Sequence, residues 1–106
     1  MLLSTTDTIP GYDITEFKGM VCGNIVQSKH LGRDIMAGLK TIIGGEIAGY
    51  SEMLSEARER AVQRMVASAD ELGANAIVNV RFTTSTVSQG MAEILAYGTA
   101  VSVGHM

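Results

Sequence analysis

The 106-residue chain has one cysteine, one proline and no tryptophan, and these scarcities remove whole classes of protein. A lone Cys22 cannot close a disulfide within the chain, so no cysteine framework staples the fold. Aromatic residues make up only 5 %, which leaves the apolar mass to Ala, Val, Ile, Leu and seven Met. Charge is also scarce. Charged residues are 18 % of the chain, against roughly 25 % in an ordinary soluble domain. Because hydrophobic content is an unexceptional 46 %, low charge implies that part of the surface is not left to water. Self-association is the simplest cause. The eight basic residues form no run and no aromatic-interleaved stripe, and eleven acidic ones outnumber them. No footprint for nucleic acid follows. No window approaches the ~18 uninterrupted apolar residues of a membrane span. The opening MLLSTTDTIPGYD has neither the basic start nor the apolar length of a signal peptide. One cytoplasmic domain over residues 1–106 is the expectation.

What the chain does contain is periodicity. Leu2 to Thr6 reads as a short strand, closed by a turn at Ile9-Pro10-Gly11. Glu16 to Gln27 reads as a strand interrupted by Gly19 and Gly23, which in strands mark a bulge, a bend or the close approach of another backbone. Arg33 to Ile43 places Ile35, Leu39, Ile42 and Ile43 on one helical face, with Gly44 as a C-terminal cap. Gly44 to Gly49, GGEIAG, then reads as a turn between helices. A second helix is predicted from Tyr50 to Leu72, its apolar stripe running through Met53, Leu54, Ala57, Ala61, Met65 and Ala69. Gly73 ends it.

Two further strands meet at Ser88-Gln89-Gly90, a three-residue loop with glycine where a left-handed residue is wanted. Pairing Val87 with Met91 sets Val78 opposite Ala100, Val80 opposite Gly98 and Phe82 opposite Ala96. On the other face Asn79 meets Thr99, Arg81 meets Tyr97, Thr83 meets Leu95 and Ser85 meets Glu93. Ala76, Val78, Val80 and Phe82 form the expected core face. Arg81 is expected to lie along Tyr97, its stem packed and its head hydrogen-bonded. The expected fold class is α+β, an antiparallel sheet with helices on one face in the order β-β-α-α-β-β. The second sheet face mixes Ile77, Leu95, Tyr97, Val101 and Val103 with polar residues, and a neighbouring subunit would cover it.

The segments TTDTIPGYDITEFKGMV, GRDI, GGEIAGYSEML and LGANAIVNVRF resemble, in order and spacing, the small YbjQ-like proteins. That family carries a heavy-metal-binding description. The matching positions are Pro10-Gly11-Tyr12, Arg33-Asp34, Gly44-Gly45, Tyr50 and Leu72 to Ala76. The resemblance implies a dodecin-subunit-like fold and a ring-shaped homo-oligomer, with a pentamer favoured. It implies no established reaction and no particular ligand residues.

Candidate residues for chemistry are few. Zinc and softer metals prefer Cys and His at four corners, and the chain offers Cys22, His30 and His105 with no CxxC or HxxxH spacing. A divalent or soft metal ion would therefore need several subunits, with Cys22 and His30 as the candidate ligands. The competing readings are a small buried hydrophobe for Cys22, an ordinary connection residue for His30 and a frayed tail for His105. GGEIAG lacks the Lys-Ser/Thr of a phosphate loop. Arg33-Asp34 reads as a helix start with Asp in a favourable dipole position. Glu56 and Glu59 lie on a charged, solvated helix face. Tyr12, Tyr50 and Tyr97 are the residues that would stack on a flat cofactor between subunits. No catalytic constellation is present in this pattern. The expected class is a non-enzymatic homo-oligomeric binding protein with a metal ion as ligand; the alternatives are a small-molecule binder or scaffold without metal, then an enzyme with its site between subunits.

Overall fold

A computed structural model describes residues 1–28, 42–43, 46–47, 50–88 and 91–106. Its elements are β1 (Leu2–Leu3), β2 (Tyr12–Ser28), β3 (Ile42–Ile43), β4 (Glu46–Ile47), α1 (Tyr50–Glu71), β5 (Ala76–Ser88) and β6 (Met91–His105). Four strands form one sheet in the order β1-β5-β6-β2, and β3 pairs β4 separately. The α+β class holds. The sheet is mixed rather than purely antiparallel, because β1 runs parallel to β5. The predicted first helix falls largely outside the described residues, and its last two residues belong to β3. Ile43 pairs with Glu46 and Ile42 with Ile47, so the expected helix end, with Glu46 and Ile47 of the expected turn, is strand. Two consecutive β-branched residues favour that outcome, and the Gly-Gly between the pairs is a hairpin signal in the sequence.

The second helix forms as its periodicity dictates. Ala57, Ala61, Met65 and Ala69 are completely buried against Val21, Ile25, Ile77, Val80, Ile94, Ala96 and Ala100. The helix lies over β2 and β6 rather than over β5. Gly23 explains the choice. A Cβ there would sit 2.2 Å from the Ala61 carbonyl oxygen and 2.5 Å from the Met65 nitrogen. Only a bare backbone admits the helix so closely. Gly19, with φ 134°, falls where the β2–β6 register shifts, between Phe17 and itself. Both glycines of this strand thus act as expected, one as a bulge and one as a close approach. The turn before it also forms, with the Tyr12 amide donating to the Ile9 carbonyl at 3.1 Å.

The β5–β6 hairpin keeps the predicted pairs Arg81–Tyr97, Phe82–Ala96, Thr83–Leu95 and Ser85–Glu93. Both ends depart from it. Ser88, not Val87, faces Met91, and Val78 faces Thr99 rather than Ala100. The second departure is a bulge at Asn79, whose φ of 55° is a left-handed conformation that asparagine tolerates better than most residues. One extra residue reverses the alternation. Ile77 therefore joins Val80 under the helix, while Ala76 and Val78 pack on the opposite side with Val101, Val103, Ile9 and Tyr12. The expected continuous face of Ala76, Val78, Val80 and Phe82 does not exist. Phe82 lies at the rim of the core, 46 % exposed.

The N-terminal segment extends this second packing layer. Beyond β1, the Ser4 amide donates to Ile77 O at 2.9 Å, Val80 to Ser4 O at 2.9 Å and Asn79 to Thr6 O at 3.0 Å. The resulting subunit is thin and long, 53 × 27 × 16 Å. Its radius of gyration is 16.9 Å, against about 13 Å for a compact chain of this length. Its accessible surface is 6847 Å², about 1,100 Å² more than the size law gives for its mass.

Candidate functional site

From Met20 onward, β2 alternates cleanly. Val21, Gly23, Ile25 and Gln27 turn inward to the helix, and Met20, Cys22, Asn24 and Val26 turn out. Cross-strand register carries that outward set across the sheet. Cys22 faces Tyr97, which faces Arg81; Asn24 faces Leu95, which faces Thr83; Val26 faces Glu93, which faces Ser85. These rows make a sheet face that no described residue covers, with half-buried Leu95 and Tyr97 at its centre. Asn24 Nδ2 donates to Glu93 Oε2 at 3.1 Å, linking two of the rows.

Arg81 stands beside Tyr97 in the register, as expected, but its head is committed elsewhere. Nη1 donates to the Thr5 carbonyl at 2.7 Å and to the Val80 carbonyl at 2.9 Å. The arginine thus pins the N-terminal segment to the start of the open face. At the other end of β6, Asn75 acts as a substitute strand. Its Oδ1 accepts from the Val103 amide at 2.7 Å and its Nδ2 donates to the Val103 carbonyl at 2.9 Å. The Arg64 guanidinium reaches from α1 to the Asn24 carbonyl, 2.7 Å away, on the outer edge of β2. Asn75 and Arg64 had no assigned role from the sequence, and Asn79 was set opposite Thr99, a place that Val78 takes. The only cue was asparagine recurring at 75 and 79 around an apolar strand start, a position where backbone-mimicking side chains are useful.

The candidate ligands are scattered. Cys22 is exposed on the open face, not buried, because Val21 and Gly23 take the inward positions. His30 lies outside the described residues. His105 is the last residue of β6, paired with Tyr12, and the Met106 amide donates to Gly11 O at 3.1 Å, so this end is ordered strand and not a frayed tail. The Tyr12 and His105 rings lie 4.6 Å apart, tilted by 33°. Tyr97 and His105 are eight residues apart on one strand, and Cys22 sits opposite Tyr97. At ~3.3 Å per residue, Cys22 and His105 are therefore about 26 Å apart and cannot share an ion in one chain. Tyr12 and Tyr97 are separated in the same way. Among the described residues no three His, Cys, Asp or Glu side chains are placed to hold a common metal.

A shallow groove of about 640 Å³ lies between the outer flank of α1 and β5, lined by Ser55, Arg58, Glu59, Val62, Gln63 and Phe82. Glu56 and Glu59 are exposed on that helix, in agreement with a solvated face. No helix among the described residues is long and apolar enough to cross a membrane.

A sheet with one helical cover and one open face is the class of subunit that this geometry defines. A family model described as "Putative heavy-metal-binding" matches residues 1–104, and the chain belongs to that family, YbjQ. Relatives named UPF0145 protein are 64 % identical in Psychromonas ingrahamii, over 97 % of this chain and 98 % of the relative. In Thermosipho melanesiensis the relative is 59 % identical, over 97 % of this chain and 95 % of its own length. Among solved structures, a protein of unknown function from the DUF74 family of Pediococcus pentosaceus has the same fold. It aligns with TM-score 0.60 and 18 % identity, covering 98 % of each chain.

Proposed function

We propose that the chain is one subunit of a non-enzymatic, dodecin-like ring, a pentamer by resemblance, which binds a soft metal ion between subunits. The observation that carries the assembly is the surplus surface. A chain of 11.2 kDa exposing 6847 Å², with Phe17 71 % and Met20 83 % exposed, has apolar area that only a partner removes from water. A standard interface covers about 800 Å² per partner, the same order as the surplus. The metal rests on the family description and on Cys22, whose thiol is exposed on the open face. A single thiol per chain makes a site only when copies bring several together.

Light scattering at micromolar concentration tests the assembly, and a monomer rejects it. Elemental analysis of protein purified without an affinity tag, with zinc and cadmium titrations of the native chain and Cys22→Ser, tests the metal. Binding lost in the variant supports the site. Equal affinity in both removes Cys22, and no binding in either supports a scaffold or small-molecule binder without metal.

A further inference from the structure

Resting on that reading of a soft ion, we infer that each chain offers it two sulfur donors, the Cys22 thiolate and the Met20 thioether, and that the pair selects monovalent copper over zinc. The two residues flank Val21, which is buried beneath α1, so both side chains leave β2 on the open face. Met20 is 83 % exposed there, the highest value among the large apolar residues described. The bulge at Lys18 sets this arrangement. Phe17 shares a face with Val101, and unbroken alternation from Phe17 would turn Met20 and Cys22 toward the helix instead. Beyond the bulge the ladder is regular, with Met20 against Thr99 and Cys22 against Tyr97. Two residues along a strand are about 6.6 Å apart. Two metal–sulfur bonds of about 2.3 Å span roughly 4.6 Å, and the flexible methionine side chain closes the difference.

The surroundings decide the ion. On this face the pair has Phe17, Asn24, Thr99 and Tyr97 as neighbours, which bring no imidazole and no carboxylate. Among the described residues of the face, the nearest carboxylate is Glu93, which stands opposite Val26 and accepts from Asn24 Nδ2 at 3.1 Å. His105 is six residues from Thr99 along β6, roughly 20 Å away. Zinc takes four ligands, and a single thiolate leaves half of its charge unbalanced. A monovalent ion is neutralised by that one thiolate. Cu(I) is satisfied by two or three ligands, and thiolate with thioether is the donor pairing that favours it. With two sulfurs from one chain, at most one ligand from a neighbouring copy completes the shell. Binding breaks the Cys22 S–H bond, forms a copper–sulfur bond and passes the proton to solvent, and no electron moves.

Cu(I), delivered anaerobically from its bicinchoninate complex to the untagged chain, tests the pair. The native chain should withdraw copper from the chelator and release a proton for each ion bound, and zinc at equal concentration should not displace it. Met20→Leu, close in volume, should weaken copper binding about tenfold or more, since even an outer partner of a metal ligand is worth about 10–100-fold. Met106→Leu, which changes a methionine exposed to 82 %, should bind as the native chain does. In protein labelled at its methionine methyl groups, the Met20 signal should shift on copper addition and the Met106 signal should not. Unchanged affinity in Met20→Leu, with binding lost in Cys22→Ser, overturns the pair and leaves the thiol site standing. Equal uptake by the native chain and Cys22→Ser, or none by either, overturns both. Zinc that displaces the copper overturns the choice of ion.

Discussion

Replacing Gly23 by alanine adds a single methyl group at the tightest point of the molecule. That methyl carbon would stand 2.2 Å from Ala61 O, 2.5 Å from Met65 N and 2.8 Å from Arg64 Cβ, where ordinary contacts begin near 3.4 Å. Two of the three are helix backbone and cannot rotate away. The helix must lift by about 1 Å, and a gap of that size forfeits a quarter to a half of the dispersion between the facing atoms. Overpacking of this kind costs typically 1–3 kcal/mol, and here the upper end applies because backbone atoms are struck. The lower chain entropy of alanine returns about 0.5–1 kcal/mol. The net loss is about 2–2.5 kcal/mol from a total of roughly 5–15 kcal/mol. In a domain of this size that lowers the melting temperature by roughly 8–20 °C. Gly104 is the internal control, since a Cβ there meets only Thr15 Cγ2 at 3.8 Å. Urea unfolding of both variants at one fixed protein concentration is the measurement. Should Gly23→Ala unfold with the same midpoint as Gly104→Ala, the helix does not rest on this glycine.

Asn79→Gly should unfold like the native chain, whereas Asn79→Val should lose about 1–3 kcal/mol, because a β-branched residue resists a φ of 55°; denaturant titration distinguishes them. Arg81→Ala should free the N-terminal segment by removing the bond to Thr5 O, so that hydrogen exchange accelerates at Ser4 to Thr6 and at Asn79 and Val80 while the α1 amides stay protected. Phe82→Ala should cost about 1–2 kcal/mol in urea unfolding, below the 3–5 kcal/mol of a fully buried phenylalanine, since the ring is already 46 % exposed. A loss in the larger range would mean that Phe82 is covered in solution.

The parts of the fold legible in sequence are those governed by one local rule. The helical stripe of α1 and the central hairpin pairs around Arg81 and Phe82 follow from periodicity, and Gly19 and Gly23 announced irregularity in β2. The parallel pairing of β1 could not be read, because two residues carry no register of their own. Nor could the bulge at Asn79. The run Ala76-Ile77-Val78 is apolar at every position, so a strand there satisfies either face, and only tertiary packing decides which. The open face was legible as a mixed surface, but the side to which Cys22 turns, ligand on that face or small hydrophobe in the core, stayed open. That assignment needed the position of the helix, which Gly23 sets from the neighbouring residue.

The bulge also explains how one thin sheet acquires two cores. Before Asn79, β5 is buried on both sides, with Ile77 beneath α1 and Ala76 and Val78 beneath the N-terminal segment. After it, the helix side alone is covered, by a helix that favours β2 and β6. What remains bare is the opposite face from Arg81 to Ser85, with Cys22 to Val26 across from it, and the rim at Phe82. These bare areas adjoin the edge of β2, where Arg64 bonds Asn24 O, and the stretch of β5 beyond the N-terminal segment. Edge pairing and apolar burial are separate physical demands, one directional and one proportional to area. Here both demands fall on the same boundary of the subunit, at the bare rows beside the ends of β2 and β5.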